Sequence, residues 1–93
     1  MNTLRIQHPI TDFATWKEAF DRFAGLREQA GVRAQRISRP VDDPSFVFID
    51  LDFDSVDAAT GFEQILRTRV WSTPANSPAL VGEPVTRILA AEG

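Results

Sequence analysis

The eight residues FVFIDLDF, at positions 46–53, constrain the fold of this chain more than any other segment. Successive side chains of a β-strand point to opposite faces of a sheet, so this segment has two unlike faces. One face holds only apolar side chains, namely Val47, Ile49, Leu51 and Phe53. The other face holds Phe46, Phe48, Asp50 and Asp52. We expect a strand whose first face packs against helices and whose second face mixes rings with charges.

The segments before this strand predict a strand followed by a helix. Residues 3–8, TLRIQH, alternate in polarity as a strand with two unlike faces does. Apolar side chains recur at helical spacing over residues 13–30, and Thr11 or Asp12 is placed to cap the start of that helix. Gly31 follows the last turn and suits a left-handed helix end.

The remaining segments predict two more strands and a second helix. Residues 32–39, VRAQRISR, are polar enough for an edge strand. Apolar residues within 58–66 predict the second helix, which Asp54 or Ser55 can cap. Residues 85–90, VTRILA, close the chain as a strand.

The order of elements is therefore β-α-β-β-α-β, in a single domain of residues 1–93. This is the ferredoxin-like plan, an α+β fold in which two helices cover one face of a four-stranded antiparallel sheet. Its first and third strands lie in the middle of the sheet. The side chains expected to face the helices are Leu4, Ile6, Val47, Ile49, Leu51 and Phe53.

The opposite face of this sheet carries phenylalanines and charges together. Its expected members are Arg5, Gln7, Phe46, Phe48, Asp50 and Asp52. In water the rings would form an apolar patch, and in a dry interface the charges would need partners. A second copy of the sheet packed across this face covers the rings and lets arginines meet aspartates. We therefore predict a homodimer.

The types of residue present in the chain exclude several classes of function. It has no cysteine, no tyrosine and one histidine, which excludes disulfides and zinc sites of the usual cysteine-histidine type. The net charge is −3, and positive and negative residues are interspersed along the chain without a basic patch. We therefore expect no nucleic-acid partner. No apolar run suits a signal peptide or a membrane span. We expect a cytoplasmic protein without a metal or a cofactor.

Three stretches together resemble the dimeric α/β-barrel superfamily. They are HPITDFATWKEAFD at residues 8–21, GVRAQRISRPVDDPSFVFIDLDFDS at 31–55, and VWSTPANSPALVGEP followed by TRIL within 70–89. Antibiotic biosynthesis monooxygenases share this fold, and the sequence is most similar to small bacterial members without an assigned function. The resemblance implies a ferredoxin-like dimer. It implies no single reaction, because the superfamily includes oxygenases, isomerases, haem-binding enzymes and proteins of no known activity.

The resemblance also implies where a ligand would bind, since superfamily members often hold ligands between the sheet and the helices of one protomer. His8, at the end of the first strand, points to that side and is a candidate catalytic acid or base. Trp16 and Phe20 on the first helix, with Trp71, would supply aromatic walls. Arg27 would supply a fixed cation. Together they suit a planar or anionic small molecule.

Each of these side chains also has a purely structural explanation. A histidine at a strand end is often a hydrogen-bonded structural residue, and aromatic rings at helical spacing are usually core. Arg27 can pair with a carboxylate such as Glu63 or extend its stem to solvent. Trp71 can plug the end of the core.

The segment RVWSTPANSPALVGEP, residues 69–84, connects the second helix to the last strand and contains three prolines. The prolines disfavour a continuous helix, and the STP and NSP triplets can each begin a turn. Its apolar anchors are Trp71, Ala79, Leu80 and Val81. We predict an ordered lid or dimer arm over residues 71–81 instead of a flexible linker.

Two functions of different classes are compatible with this sequence. The first is a cofactor-independent monooxygenase or isomerase with His8 as its acid or base. The second is a non-catalytic homodimeric protein for binding or assembly, which the sparse inventory of reactive side chains favours.

Overall fold

The computed structural model describes residues 1–92 and contains one antiparallel sheet of four strands. The strands are β1 (Asn2–Pro9), β2 (Ala34–Ser38), β3 (Phe46–Phe53) and β4 (Val85–Ala90). Their order across the sheet is β2-β3-β1-β4, so the first and third strands are central, as the ferredoxin-like plan predicts. The helices are α1 (Phe13–Arg22), α2 (Ala24–Ala30) and α3 (Val56–Ile65), and a π-helical segment (Leu66–Val70) continues α3.

The register between β1 and β3 decides which side chains enter the core. Leu4 lies opposite Leu51, Ile6 opposite Ile49, and His8 opposite Val47. The predicted helix-facing set is confirmed, because the following residues are all buried: Leu4, Ile6, Val47, Ile49, Leu51 and Phe53. His8 therefore shares the helix-facing side with the apolar core.

Side-chain caps fix the starts of two helices. Asp12, one of the two predicted caps of α1, accepts a hydrogen bond from the Thr15 backbone N–H at 2.8 Å. Ser55 caps α3 in the same way through the Ala58 backbone N–H, at 3.1 Å. Each cap satisfies a backbone donor that the first helical turn leaves unpaired.

The single helix predicted over residues 13–30 is wrong, since the chain forms two helices there. The break lies at Phe23, whose backbone (φ −99°, ψ 16°) leaves the helical region. Gly25 follows closely, and glycine is a weak helix former. The second, shorter helix carries Arg27 into the interior.

The second strand is shorter than predicted, because Arg33 and its preceding residue belong to the connection from α2. The Val32 N–H donates to the Arg27 carbonyl at 3.1 Å, which completes the end of that helix. Gly31 adopts the left-handed conformation expected of it, with φ 91°. No helix within residues 1–92 combines the length and apolar character that crossing a bilayer requires.

Replacing Gly31 with alanine should lower the free energy of unfolding by about 1–2 kcal/mol, because a β-carbon is strained in the left-handed region. Gly61→Ala is the matched control. It lies within α3 with nothing within 4 Å of an added β-carbon, so it should raise stability by about 0.5–1 kcal/mol. Urea titration of both variants measures the two shifts, and equal shifts would contradict the helix end described here.

Candidate functional site

A cavity lies between the helix-facing side of the sheet and the helices. Its volume is about 60 Å³, which is room for several water molecules. Strands β1 and β3 form its floor through Ile6, Ile49 and Leu51, and residues 76–80 close one side of it. The wall is mostly apolar, as is usual for small-molecule sites.

All five side chains predicted for the site line this one cavity: His8, Trp16, Phe20, Arg27 and Trp71. Two of the lining side chains are titratable, His8 and Arg27. The cavity therefore combines one imidazole and one guanidinium with a largely apolar wall. Whether these side chains bind a ligand stays a prediction.

His8 reaches the cavity from the end of β1 and is 3% exposed. Its Nδ1 lies 2.9 Å from the carbonyl oxygen of Pro9. Because a carbonyl oxygen only accepts, Nδ1 carries the proton and Nε2 carries the lone pair. Burial lowers the pKa of His8 below its usual value of 6.5, and the hydrogen bond to Pro9 opposes part of that shift. His8 is therefore neutral at pH 7, and Nε2 is a base.

The second ring nitrogen of His8 has no hydrogen-bond partner in the protein. No wholly buried side-chain nitrogen or oxygen in residues 1–92 lacks a hydrogen-bond partner, so Nε2 is not wholly buried. The His8 side chain lines the cavity. An imidazole with a fixed proton on one nitrogen and a free lone pair on the other is suited to remove a proton from a ligand.

The Pro9 carbonyl ties this histidine to the proline-rich segment. It accepts a second hydrogen bond from the Val81 backbone N–H at 3.3 Å. Next to it, the Thr11 N–H donates to the Ala79 carbonyl at 3.0 Å, and Ile10 forms a β-bridge with Leu80. The segment that covers the cavity is thus attached beside His8.

Residues 71–81 form an ordered cover over the cavity, held by hydrogen bonds to the end of the π-helical segment. Asn76 Nδ2 donates to the Arg69 carbonyl at 2.7 Å, and Ser77 Oγ donates to the Val70 carbonyl at 3.1 Å. Ala79 is buried and Trp71 is half-buried. The prediction that the Val81 side chain anchors this segment is wrong, because it is 41% exposed and only its backbone takes part.

A row of aromatic rings forms one wall. The ring of Trp16 stacks on Phe20 with centroids 4.9 Å apart and meets His8 edge-on at 6.4 Å. The Arg27 guanidinium lies 3.7 Å above the Phe20 ring. Trp16 is only 8% exposed and belongs to the hydrophobic core as well. Trp16 therefore belongs both to the hydrophobic core and to the wall of the cavity.

Arg27 is buried, at 5% exposure, and its partners differ from the predicted ones. Its Nε donates to Gln35 Oε1 at 3.0 Å, and its Nη1 donates to the Phe20 carbonyl at 2.7 Å. Glu63 instead forms an ion pair with Arg67, so the suggested Arg27–Glu63 pair is wrong. The physical reason is helical spacing, because Glu63 and Arg67 lie one turn apart on the same helical surface.

Gln35, an exposed residue that holds Arg27 and does not itself line the cavity, was missed by the sequence analysis. It lies on β2 opposite Leu51, at a helix-facing position. A polar amide at such a position was the available signal, since an apolar side chain would be expected there. Among residues 1–92, no three histidine or acidic side chains lie close enough together to hold a metal ion.

On the face of the sheet that points away from the helices, the ion pairs differ from those expected. Arg5 pairs with Asp50 at 2.9 Å, and Arg36 pairs with Asp52 at 2.9 Å, both within the chain. Hydrogen bonds from Arg36 and then from Thr3 lower the pKa of Asp52 to about 2. The arginines therefore meet the aspartates within one protomer, and a partner is not needed to neutralise them.

Comparison with known proteins identifies the fold. No protein-family model matches this chain, and no curated protein matches it. An antibiotic biosynthesis monooxygenase of known structure superposes with a TM-score of 0.68 at 12% identity, over 100% of both chains. A monooxygenase from the gene ActVA-Orf6 of Streptomyces coelicolor, solved with nanaomycin D, gives 0.66 at 16% identity, over 99% of this chain and 88% of that one.

An uncharacterised NIPSNAP domain protein from Burkholderia xenovorans has the same fold, with a TM-score of 0.67 at 15% identity over 99% of this chain and 95% of that one. The chain thus has a ferredoxin-like α+β fold, which it shares with structures described as antibiotic biosynthesis monooxygenases, as the resemblance predicted. At this level of identity the likeness defines the fold alone.

The protonation of His8 can be measured directly, because it is the one histidine in the chain. Nitrogen-15 NMR should show a proton on Nδ1 at pH 7.5 and a pKa below 6.5. The unfolded chain then binds more protons than the folded one between the lowered pKa and about 6.5, so the free energy of unfolding should fall as pH drops through that range. A proton on Nε2, or a pKa above 6.5, would contradict the geometry described here.

Proposed function

We propose that this protein binds a small aromatic or anionic molecule in the cavity between its sheet and its helices, and that His8 acts there as a general base. The observation that carries the proposal is the buried imidazole of His8, whose Nδ1 is 2.9 Å from the Pro9 carbonyl oxygen and whose side chain lines the cavity. The likeness in fold to a monooxygenase solved with a small molecule, nanaomycin D, supports it.

Proton removal by His8 is the step that two reactions share. In an isomerisation, Nε2 takes a proton from one carbon of the ligand and returns it to another. In a cofactor-independent oxygenation, the carbanion adds to dioxygen and the resulting hydroperoxide loses water. One oxygen atom stays as a carbonyl and the other leaves as water, so the ligand carbon, oxidised from a methylene to a carbonyl, supplies all four electrons that dioxygen accepts and no further reductant is needed.

The cover at residues 71–81 suits either reaction. It covers part of the cavity and so limits the access of water, which strengthens polar interactions inside and protects a carbanion from reprotonation by solvent. A cavity of about 60 Å³ is smaller than an aromatic ligand, so this segment or the aromatic wall moves when a ligand enters.

Exchange of a ligand proton tests the base role without knowledge of the reaction. We expect anthrone, whose methylene protons are acidic, to exchange with D₂O faster in the presence of the protein, or to consume oxygen as it forms a quinone. His8→Gln keeps a polar side chain but has no basic nitrogen, and it should slow either process by about 100-fold or more. Proton NMR and an oxygen electrode measure the two processes.

Circular dichroism should show that the glutamine variant is folded. Unchanged exchange and oxygen uptake in that variant would remove His8 from the chemistry. Binding without exchange or turnover in either protein would favour the alternative, a non-catalytic binding protein.

We also propose that the protein is a homodimer that packs sheet face to sheet face. Phe46 and Phe48 lie on the face away from the helices, half-buried, with ring centroids 5.4 Å apart. Val85 lies on β4, which is separated from β3 by β1, and it is 52% exposed on the same face. The charges around them are paired within the chain at 2.9 Å, which lowers the cost of covering this face.

Phe48→Asp should convert the dimer to monomers, because it buries an unpaired charge in the interface. Val41→Asp adds the same charge at a fully exposed turn residue and should leave the dimer intact. Light scattering at micromolar concentration measures both. A wild-type mass equal to one chain, 10.4 kDa, would overturn the dimer.

A further inference from the structure

Arg27 is a buried cation that no carboxylate neutralises. Within residues 1–92, no acidic oxygen lies within 4 Å of its guanidinium, and both of its hydrogen-bond acceptors, the Gln35 amide and the Phe20 carbonyl, are uncharged. Burying a charge without a counter-ion costs folding free energy. An arginine cannot escape that cost by losing its proton, because it stays charged in proteins.

The nearest acid that influences Arg27 is engaged elsewhere. Asp21 acts on the guanidinium through space, but its two oxygens accept hydrogen bonds from Lys17 at 2.7 and 2.9 Å. The Arg27 Nη2 has no protein acceptor, and no wholly buried side-chain nitrogen in the described residues is left unpaired. Nη2 is therefore not wholly buried and is free to donate to a ligand, and the Arg27 side chain lines the cavity as well as a more open depression that it shares with Gln35.

Gln35 fixes the direction of this cation without cancelling its charge. Its Oε1 accepts the Nε–H of Arg27 at 3.0 Å from the edge strand β2. A glutamate at the same position would form an ion pair in the same geometry. A carboxylate would both orient the guanidinium and neutralise it. The Gln35 amide only orients the guanidinium, so the charge of Arg27 stays available to a ligand.

We propose that Arg27, oriented by Gln35, makes the cavity selective for a planar aromatic monoanion such as an aromatic carboxylate. This inference rests on the proposed function, because it specifies the ligand class of the same cavity. The anionic group of the ligand accepts hydrogen bonds from the guanidinium in a dry setting, where such charge-assisted bonds are strong. Arg27 is the binding residue, and Gln35 is a positioning residue that determines specificity.

The row of aromatic rings between Arg27 and His8 is the reason for proposing a planar ligand. The guanidinium lies 3.7 Å above Phe20, Phe20 stacks on Trp16 at 4.9 Å, and Trp16 meets His8 at 6.4 Å. Arg27 and Trp16 both pack against the Phe20 ring, so a flat ligand contacts this row along the side that lines the cavity, with its anionic end at Arg27 and its other end near the base. The wall thus directs the ligand in one orientation.

Two matched pairs of probes test the selectivity in the wild-type protein. Benzoate and 2-naphthoate are each compared with their uncharged amides, benzamide and 2-naphthamide, at pH 7.5. Both tryptophans of the chain line the cavity, so quenching of their emission reports binding. We expect each anion to bind at least about tenfold more tightly than its amide, since the amide cannot compensate the buried cation.

Gln35→Glu provides the decisive variant, because it neutralises Arg27 with almost no change in shape. We expect it to lose that preference, binding benzoate at least about tenfold more weakly than the wild type while benzamide binding is unchanged. Its thermal unfolding midpoint should rise, since a buried cation gains a counter-ion. Gln64→Glu, which adds the same charge on the exposed surface of α3, should bind both probes as the wild type does.

The outcomes separate this inference from the function on which it rests. If the amides bind as tightly as the anions, the cavity binds small molecules but the inference is wrong. If the Gln35→Glu variant still binds the anions more tightly than the amides, the roles proposed for Gln35 and Arg27 are wrong. If none of the probes binds at millimolar concentration, both the inference and the proposed ligand site are overturned.

Discussion

The pairing of β1 with β3 is the interaction on which the rest of the structure depends. Its register places Leu4 opposite Leu51 and His8 opposite Val47, so the imidazole enters the apolar side of the sheet. A shift of one residue would exchange the two faces of the strand and move His8 to the other side. The same register sends Arg5 to the outer face, where it pairs with Asp50.

Burial then gives the two titratable groups of the cavity opposite properties. The imidazole of His8 responds to burial by becoming neutral, because its pKa is lowered below 6.5. The guanidinium of Arg27 cannot respond in that way and remains a cation without a carboxylate partner. In the proposed function, the permanent cation binds an anion at one end of the row of rings and the neutral base removes a proton at the other.

The sequence predicted the sheet well because strand alternation is a local and strong signal. Residues 46–53 and 85–90 form strands at their predicted bounds, and the residues expected to face the helices are buried. The helical region was harder, because a continuous apolar arc does not reveal the break at Phe23. The five predicted site residues share one cavity, yet Gln35 was missed because its role depends on tertiary contact with a helix.

The ion pairs on the outer face show a further limit of sequence patterns. Alternation predicts that Arg5 and Asp50 share a face, but it does not say whether they meet within one chain or across an interface. The antiparallel register resolves this, since directly opposite residues on neighbouring strands are close enough to pair. The proposed dimer therefore rests on the apolar surface of Phe46 and Phe48 and not on the charges.

The central claim is that the cavity beside His8 and Arg27 is a ligand site, and a crystal structure with 4-bromobenzoate tests it most directly. Anomalous scattering from bromine locates the ligand independently of its weak density. The account predicts a bromine peak between the sheet and the helices, with the carboxylate within hydrogen-bond distance of the Arg27 guanidinium. A bromine peak confined to the outer surface, with none in the cavity beside Trp16 and Phe20, would contradict it.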